Sequence, residues 1–346
     1  MHSLFSLFLL ACTLVFTAGA NTSSDIQYAA ELSRSVVGTR TAAMGANGVA
    51  LPFDATGIVW NPASPFFALS SDIVVEYASL YGGMSSKACA AFRTPLQEGM
   101  SIGMLYEPFF SGEINQWDSL PGTYLERLMD PSMRADGLNR GTFTNTQHLL
   151  MLALAKRFNL PIPRPTSYSY PLPLELAVGL SFKGYWQTMN LKRKVRMGMN
   201  FNCDVGCLLH IGVDYDILKK ITSREFFAGI SIKDALNTKV IWLHSPVDYQ
   251  EKVDRVEYIG FSYVDKTGIL GANWTLTIAG ERFYKKSVHY GIEAQFWNMV
   301  SFRAGLSDKA PVLGTGIQYK KISLDYAFSF DDLAYSPIRL SLGYIF

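Results

Sequence analysis

The sequence predicts an all-β protein: a 14-stranded antiparallel transmembrane β-barrel. Three observations carry this. Large apolar residues alternate with polar or small ones over long stretches, the period of a strand with one oily face. The chain is 49% hydrophobic and only 17% charged, too apolar for a disordered chain. Past residue 20, however, no run approaches the roughly 18 apolar residues that a membrane-crossing helix needs.

The first twenty residues, MHSLFSLFLLACTLVFTAGA, form an apolar run closing on Ala18-Gly19-Ala20 and read as a secretory signal peptide, 1–20. Leu9-Leu10-Ala11-Cys12 has the outline of a lipoprotein cleavage box, but Leu14-Val15-Phe16 continue the apolar run beyond the cysteine. Cys89, Cys203 and Cys207 remain after cleavage, an odd number. On one strand, Cys203 and Cys207 stand roughly 13 Å apart, beyond disulfide reach. A formal charge of +2 gives no basic stripe and no reason to invoke nucleic acid.

Candidate strands then follow in order at 72–80, 86–94, 99–107, 147–157, 174–187, 197–211, 225–233, 255–264, 270–282, 287–297, 299–307, 311–320, 321–330 and 336–346. The last shows the pattern best: Ile338, Leu340, Leu342, Tyr344 and Phe346 interleave with Arg339, Ser341 and Gly343. A soluble antiparallel sandwich also alternates, with its apolar face inward. Against it, the polar faces here carry Gly, Ser and Asn rather than a dense Lys/Glu cover, and several strands exceed the usual five or six residues or so. Segment 147–157 (HLLMLALAKRF) is apolar on both faces, so strand and helix both remain open for it.

An even strand count lets long loops gather at one end and tight turns at the other. The two longest connections, 108–146 and 234–254, fall on the same side, opposite tight turns at 95–98, 265–268 and Asn298. This places the C-terminus on the periplasmic side. The Pro-rich connection 158–173 and the segment 212–224 are long for short-turn positions and strain the topology. A hairpin about Asn298 sets Glu293 opposite Arg303, and one through 331–334 brings Asp325 close to Arg339. Such cross-strand pairs contribute about 0.2–1 kcal/mol; as lumen charges these four either brace the barrel or meet a ligand.

Residues 21–70 break the alternation and are rich in small side chains, which suits close packing inside something else. Their centre places Gly38, Arg40, Ala42, Met44 and Gly45 in G-x-R-x-A-x-M-G, then Asp54-Ala55 and Asn61-Pro62-Ala63. Asn61 followed by Pro62 suits a helix start, and Asp54 a cap one segment earlier. With the closing Leu324-Asp325-Tyr326-Ala327-Phe328 and Tyr344-Ile345-Phe346, this resembles the FadL/PorV-type outer-membrane barrels over nearly the whole mature chain. The resemblance implies a 14-stranded barrel, 71–346, with a hatch formed by 21–70. It also implies a bacterial outer-membrane location among membrane lipid, and a C-terminal Tyr344/Phe346 signal read by the barrel assembly machinery.

That family includes long-chain fatty acid transporters, so passive uptake of a hydrophobic small molecule is the expectation. The alternative is a PorV-like barrel that binds or shuttles secreted proteins. Loop 108–146 is unusually oily, either catching ligand or packing over its own barrel mouth. Its candidate ligand contacts are Phe109, Phe110, Trp117, Tyr124, Leu125, Arg127 and Leu128, with Arg134 and Arg140 further candidates for a ligand carboxylate. No enzymatic activity is expected. The histidines His148, His210, His244 and His289 show no metal-ligand spacing, no GxSxG occurs, and neither phosphate-loop nor dinucleotide fingerprint is present. No cofactor or metal is expected.

Overall fold

A computed structural model of the protein describes residues 32, 35–117, 120–134, 137–160, 174–191, 194–216, 221–243, 251–282, 287–307, 310–330 and 337–346. The expected leader 1–20, most of the Pro-rich connection, turn 331–334 and His244 lie outside these residues.

The wall is a closed antiparallel barrel of 14 strands. They are β1 (Asp72–Leu80), β2 (Ser85–Pro95), β3 (Met100–Ser111), β4 (Gly141–Asn159), β5 (Leu174–Leu191), β6 (Lys194–Asp216) and β7 (Ile221–Lys233). β8 (Val256–Asp265), β9 (Ala272–Arg282), β10 (Val288–Phe296), β11 (Val300–Ser307), β12 (Ala310–Tyr319), β13 (Ile322–Ser329) and β14 (Ile338–Ile345) complete it. Each strand pairs with its neighbour in sequence, and β14 closes on β1 from Asp72↔Ile345 to Ser79↔Ile338. Closure leaves no row of unpaired edge groups, the condition for crossing hydrocarbon with strands.

The alternation sorts the side chains by face. On β14, Ile338, Leu340, Leu342 and Tyr344 are exposed outside while Arg339 and Ser341 are buried inside. The doubly apolar segment 147–157 is strand, within β4. Leu150, Leu152 and Leu154 join the outer belt; Leu149, Met151 and Ala153 are buried inside against Ile58, Val59 and Trp60. Two apolar environments explain its two apolar faces.

At the short-turn end, the strain expected from 212–224 is relieved by strand extension. β6 runs to Asp216 and β7 starts at Ile221, because the alternation continues through Ile211, Val213 and Tyr215. At the other end, Lys239–Leu243 pairs with Glu251–Lys252 and runs along β6 from Met197↔Leu243 to Met199↔Ile241, carrying the wall into the long connection.

Inside this wall lie residues 35–71, compact and mostly buried. Gly38, at φ 90°, turns the chain into helix α1 (Thr39–Ala43). Asp54 caps a 3-10 turn, Ala55–Val59, accepting from the Thr56 N–H at 2.8 Å. The helix expected to begin at Pro62 is absent. Asn61 instead accepts from the Ala63 N–H at 3.0 Å, and a short 3-10 turn follows at Ser64–Phe67. The Phe66 and Ala68 N–H groups bond back three residues, to Ala63 O and Pro65 O, so the turn stays 3-10 and ends there.

Candidate functional site

The inner segment meets the wall in two ways. Around β5–β12 it lies on glycines. A methyl group on Gly206 would stand 2.0 Å from Asn61 Oδ1, and one on Gly179 2.2 Å from the Pro62 carbonyl carbon. On Gly229 it would lie 2.3 Å from Val49 O, on Gly291 2.4 Å from Met44 O, and on Gly305 2.2 Å from Gly45 N. The register sets these in facing pairs, Gly179↔Gly206 and Gly291↔Gly305. No side chain fits between the two backbones at such separations. Asn61 Nδ2 then bridges them, donating to Val49 O and Cys207 O at 3.0 Å each.

Among the expected hatch residues, Gly45, Met44, Asn61, Pro62 and Ala63 are thus brought to this seat. Arg40 reaches further, clamping Glu293 at 2.5 and 3.0 Å. The lumen charges assemble only partly as their spacing foretold. Glu293 and Arg303 are direct cross-strand partners 2.5 Å apart, as the tight Asn298 turn requires. Asp325, however, pairs with Arg303 at 2.6 Å, and Arg339 with Glu76 at 3.2 Å. The register sets Arg339 opposite Ala327 and Asp325 opposite Ser341, one inward position out of step. Beside this network a polar cavity of about 100 Å³ is lined by Arg40, Asp54, Asp72, Arg303, Lys321 and Asp325, among others.

Around β14, β1, β2 and β3 the seat is ionic. Arg339 donates to Val36 O at 2.8 Å, and the Thr39 hydroxyl to Glu76 at 3.1 Å. Arg93 pairs with Asp72 at 2.6 Å and donates to Pro52 O and Phe53 O. Lys87 and Glu107, both essentially inaccessible, pair at 2.5 Å; Lys87 also donates to Ser35 Oγ at 2.9 Å and Val36 O at 2.6 Å. None of these six wall residues except Arg339 was singled out by sequence; isolated inward charges on otherwise small or apolar faces were the available signal.

The ionic half also contains a weak place in the ladder, with the register unchanged across it. β2 and β3 pair from Ser85↔Ser111 to Lys87↔Phe109 and again from Ala90↔Tyr106, but not between. Pro108 sits in the gap and has no N–H to donate. On its other side, Pro108↔His148 keeps step with β4. Directly inside this seam lie Cys89, Glu107 and the start of the inner segment, at the edge of the main interior apolar cluster.

The candidate loop contacts do not form one surface. Phe109 faces inward onto that cluster, whereas Phe110 is exposed and meets His148 edge-on. Helix α2 (Tyr124–Met129) starts from a capping box between Thr123 and Glu126. The Thr123 backbone N–H and hydroxyl hold the Glu126 carboxyl below its ordinary range. Arg127 donates to Pro121 O and Gly122 O, and Arg134 to Arg127 O and Leu128 O, so both arginines brace the loop. Tyr124, Leu125, Leu128 and Met129 stand exposed, as does Trp117. The loop does not bury these side chains over its own mouth. Tyr344 and Phe346 lie on the outer surface with their rings 5.2 Å apart.

No protein-family model and no curated protein matches the sequence. Among solved structures, a TodX deltaS2S3 mutant monoaromatic hydrocarbon channel is similar with a TM-score of 0.51 and 10% identity, over 89% of this chain and 98% of that one. The Ralstonia pickettii toluene transporter TbuX gives 0.48 at 10% identity, over 90% and 98%. The Pseudomonas putida toluene transporter TodX gives 0.45 at 12% identity, over 89% and 97%. The first of these carries the fold comparison. The likeness is one of fold, a closed 14-strand antiparallel barrel.

Proposed function

We propose that the protein is an outer-membrane channel for passive uptake of hydrophobic small molecules. This class spans monoaromatic hydrocarbons, which the TodX channel's name specifies, and long-chain fatty acids. The observation that carries the reading is the seam: the β2–β3 ladder skips two residue pairs, with no change of register, where the largest interior apolar cluster among the described residues meets the stopper. A stoppered lumen is no wide aqueous pore. An apolar solute entering it has a short way out sideways, through a gap already lacking backbone hydrogen bonds. The exposed Tyr124–Met129 face and Trp117 supply first contact, since burial of each methylene contributes about 0.8 kcal/mol.

In this reading the oily outer belt sits in the outer membrane, the long connections face outward and the C-terminus faces the periplasm. Residues 21–70 are the hatch, the mature chain begins after a cleaved leader, and Tyr344 and Phe346 serve barrel insertion. The protein performs no chemistry on its cargo. A second reading, docking of a secreted protein, is favoured by one feature: the apolar side chains of α2 stand exposed, and an amphipathic helix face is a known form of protein contact.

Toluene crosses plain phospholipid freely, so the test uses vesicles whose outer leaflet is lipopolysaccharide. Incorporated protein is expected to speed toluene and oleate entry equally well with ionophores present. No acceleration, or a requirement for an energised membrane, overturns the channel. Retention of a secreted protein by these vesicles without solute entry selects the second reading.

A further inference from the structure

The seam carries an unused hydrogen-bond acceptor. Glu107 is fully buried, and its inner-face neighbours along and across the sheet are Leu105, Phe109, Leu149 and Cys89, all apolar. Its Oε1 accepts from Lys87 Nζ at 2.5 Å and from the Ser35 hydroxyl at 2.7 Å. Its Oε2 has no partner among the described residues. Lys87 has three N–H groups, and all are directed, to Glu107, Ser35 and Val36 O. The local valences are therefore asymmetric: the donors are satisfied and one carboxylate oxygen is not. Leaving such an oxygen buried and bare is unfavourable, and an apolar site with one converging polar group is the usual form of a small-molecule site.

We propose that Glu107 selects the cargo, favouring neutral apolar molecules that carry a hydroxyl, phenols and long-chain alcohols, over both bare hydrocarbons and carboxylates. The Ser35 hydroxyl already shows how such a donor docks, on the neighbouring oxygen. A ligand hydroxyl takes Oε2 while its apolar body replaces contacts made by Val36 and Val37 within the cluster. A carboxylate offers no donor and meets a like charge, with Lys87 already engaged. This inference rests on sideways passage past the seam.

The test compares 4-methylphenol, toluene and 4-methylbenzoate in the same lipopolysaccharide vesicles. Wild type is expected to pass 4-methylphenol about tenfold faster than toluene relative to protein-free vesicles, the factor for one hydrogen bond to a charged acceptor, with 4-methylbenzoate slowest. E107Q keeps an oxygen for Lys87 but presents an N–H in place of Oε2, so the phenol's advantage should vanish while 4-methylanisole, an acceptor only, gains. The double variant K87M/E107L, which removes the pair together, should pass phenol and toluene alike and serves if E107Q does not fold. Equal wild-type rates, or an unchanged ratio in a folded variant, overturn the proposal.

Infrared difference spectra separate it from the channel reading. The Glu107 carboxylate band, identified by its loss in E107Q, should shift on adding 4-methylphenol and not toluene. A shift without vesicle entry keeps hydroxyl binding at Glu107 but sinks the channel and, with it, selection of cargo; no shift sinks the selectivity whatever the entry rates.

Discussion

The two halves of the barrel hold the same stopper by opposite means. From β5 to β12 the wall presents glycines, and backbone lies on backbone with Asn61 as the bridge. From β14 to β3 it presents buried ion pairs, and each pair is tied to the inner segment by at least one of its members. Contact through glycines is a matter of shape and yields only if the backbone moves. Contact through ion pairs is a two-state matter, since a buried pair is tolerable when whole and very unfavourable when split. The seam lies in the ionic half. A stopper that must be firm on one side and releasable on the other is built this way.

The largest expected effect is therefore at Lys87. K87M leaves Glu107 charged and buried without a cation, which costs about 3–5 kcal/mol. Hydrogen exchange should report it as lowered protection of amides from Ser35 to Thr39, with β5–β7 unchanged. K87M/E107L should recover most of that protection, because removing both partners is nearly neutral. Loss of protection spread evenly over the inner segment would erase the distinction between the halves.

How far sequence foretold this division follows from local geometry. Thirteen of the fourteen strands were readable because period-two patterning survives wherever one face meets hydrocarbon; β4 was left open between strand and helix because the inner segment makes its second face apolar too. The Glu293–Arg303 pair was readable because a turn at Asn298 leaves no freedom in register. The Asp325–Arg339 pairing was not, since a connection spanning 330–337 does not fix register, and the two residues face different neighbours. The glycine seat was half visible: Gly179, Gly206, Gly291 and Gly305 stood on the quiet faces of alternating strands, but nothing in one sequence says which foreign backbone lies on them. Arg127 was misread as free to meet a carboxylate. The last carbonyls of a helix have no partner within it and draw nearby donors: Arg134 donates to Arg127 O and Leu128 O, while Arg127 turns back onto Pro121 O and Gly122 O ahead of the helix.

A smaller effect tests the glycine half. G206V places a side chain where Asn61 Oδ1 already lies at 2.0 Å. Overpacking of a filled interior costs about 1–3 kcal/mol, here by lifting Asn61 and Pro62 from the wall. The barrel should still form, judged by its heat-dependent mobility on gels, while protease cleavage between 49 and 64 rises. G184A is the control: its methyl meets only the Phe201 ring, at 3.4 Å. Cleavage confined to the Ser35–Thr39 end in G206V would show that the ionic half, not the glycines, governs the whole stopper.

The smallest effect concerns the ion pair that, among the described residues, the inner segment makes on the glycine side. Arg40 clamps Glu293, but its side chain is 25% exposed and Glu293 is also held by Arg303. R40M therefore leaves no orphaned buried charge, and water already screens part of what is lost. The expected cost is about 1 kcal/mol, that of a partly exposed pair, against several for K87M. Both variants remove one cation from a buried glutamate; only the presence of a second cation differs. Comparable loss of amide protection around residues 40–44 in R40M and around 35–39 in K87M would mean that Arg303 does not compensate. The stopper would then be ionically held on both sides, with no preference for opening at the seam.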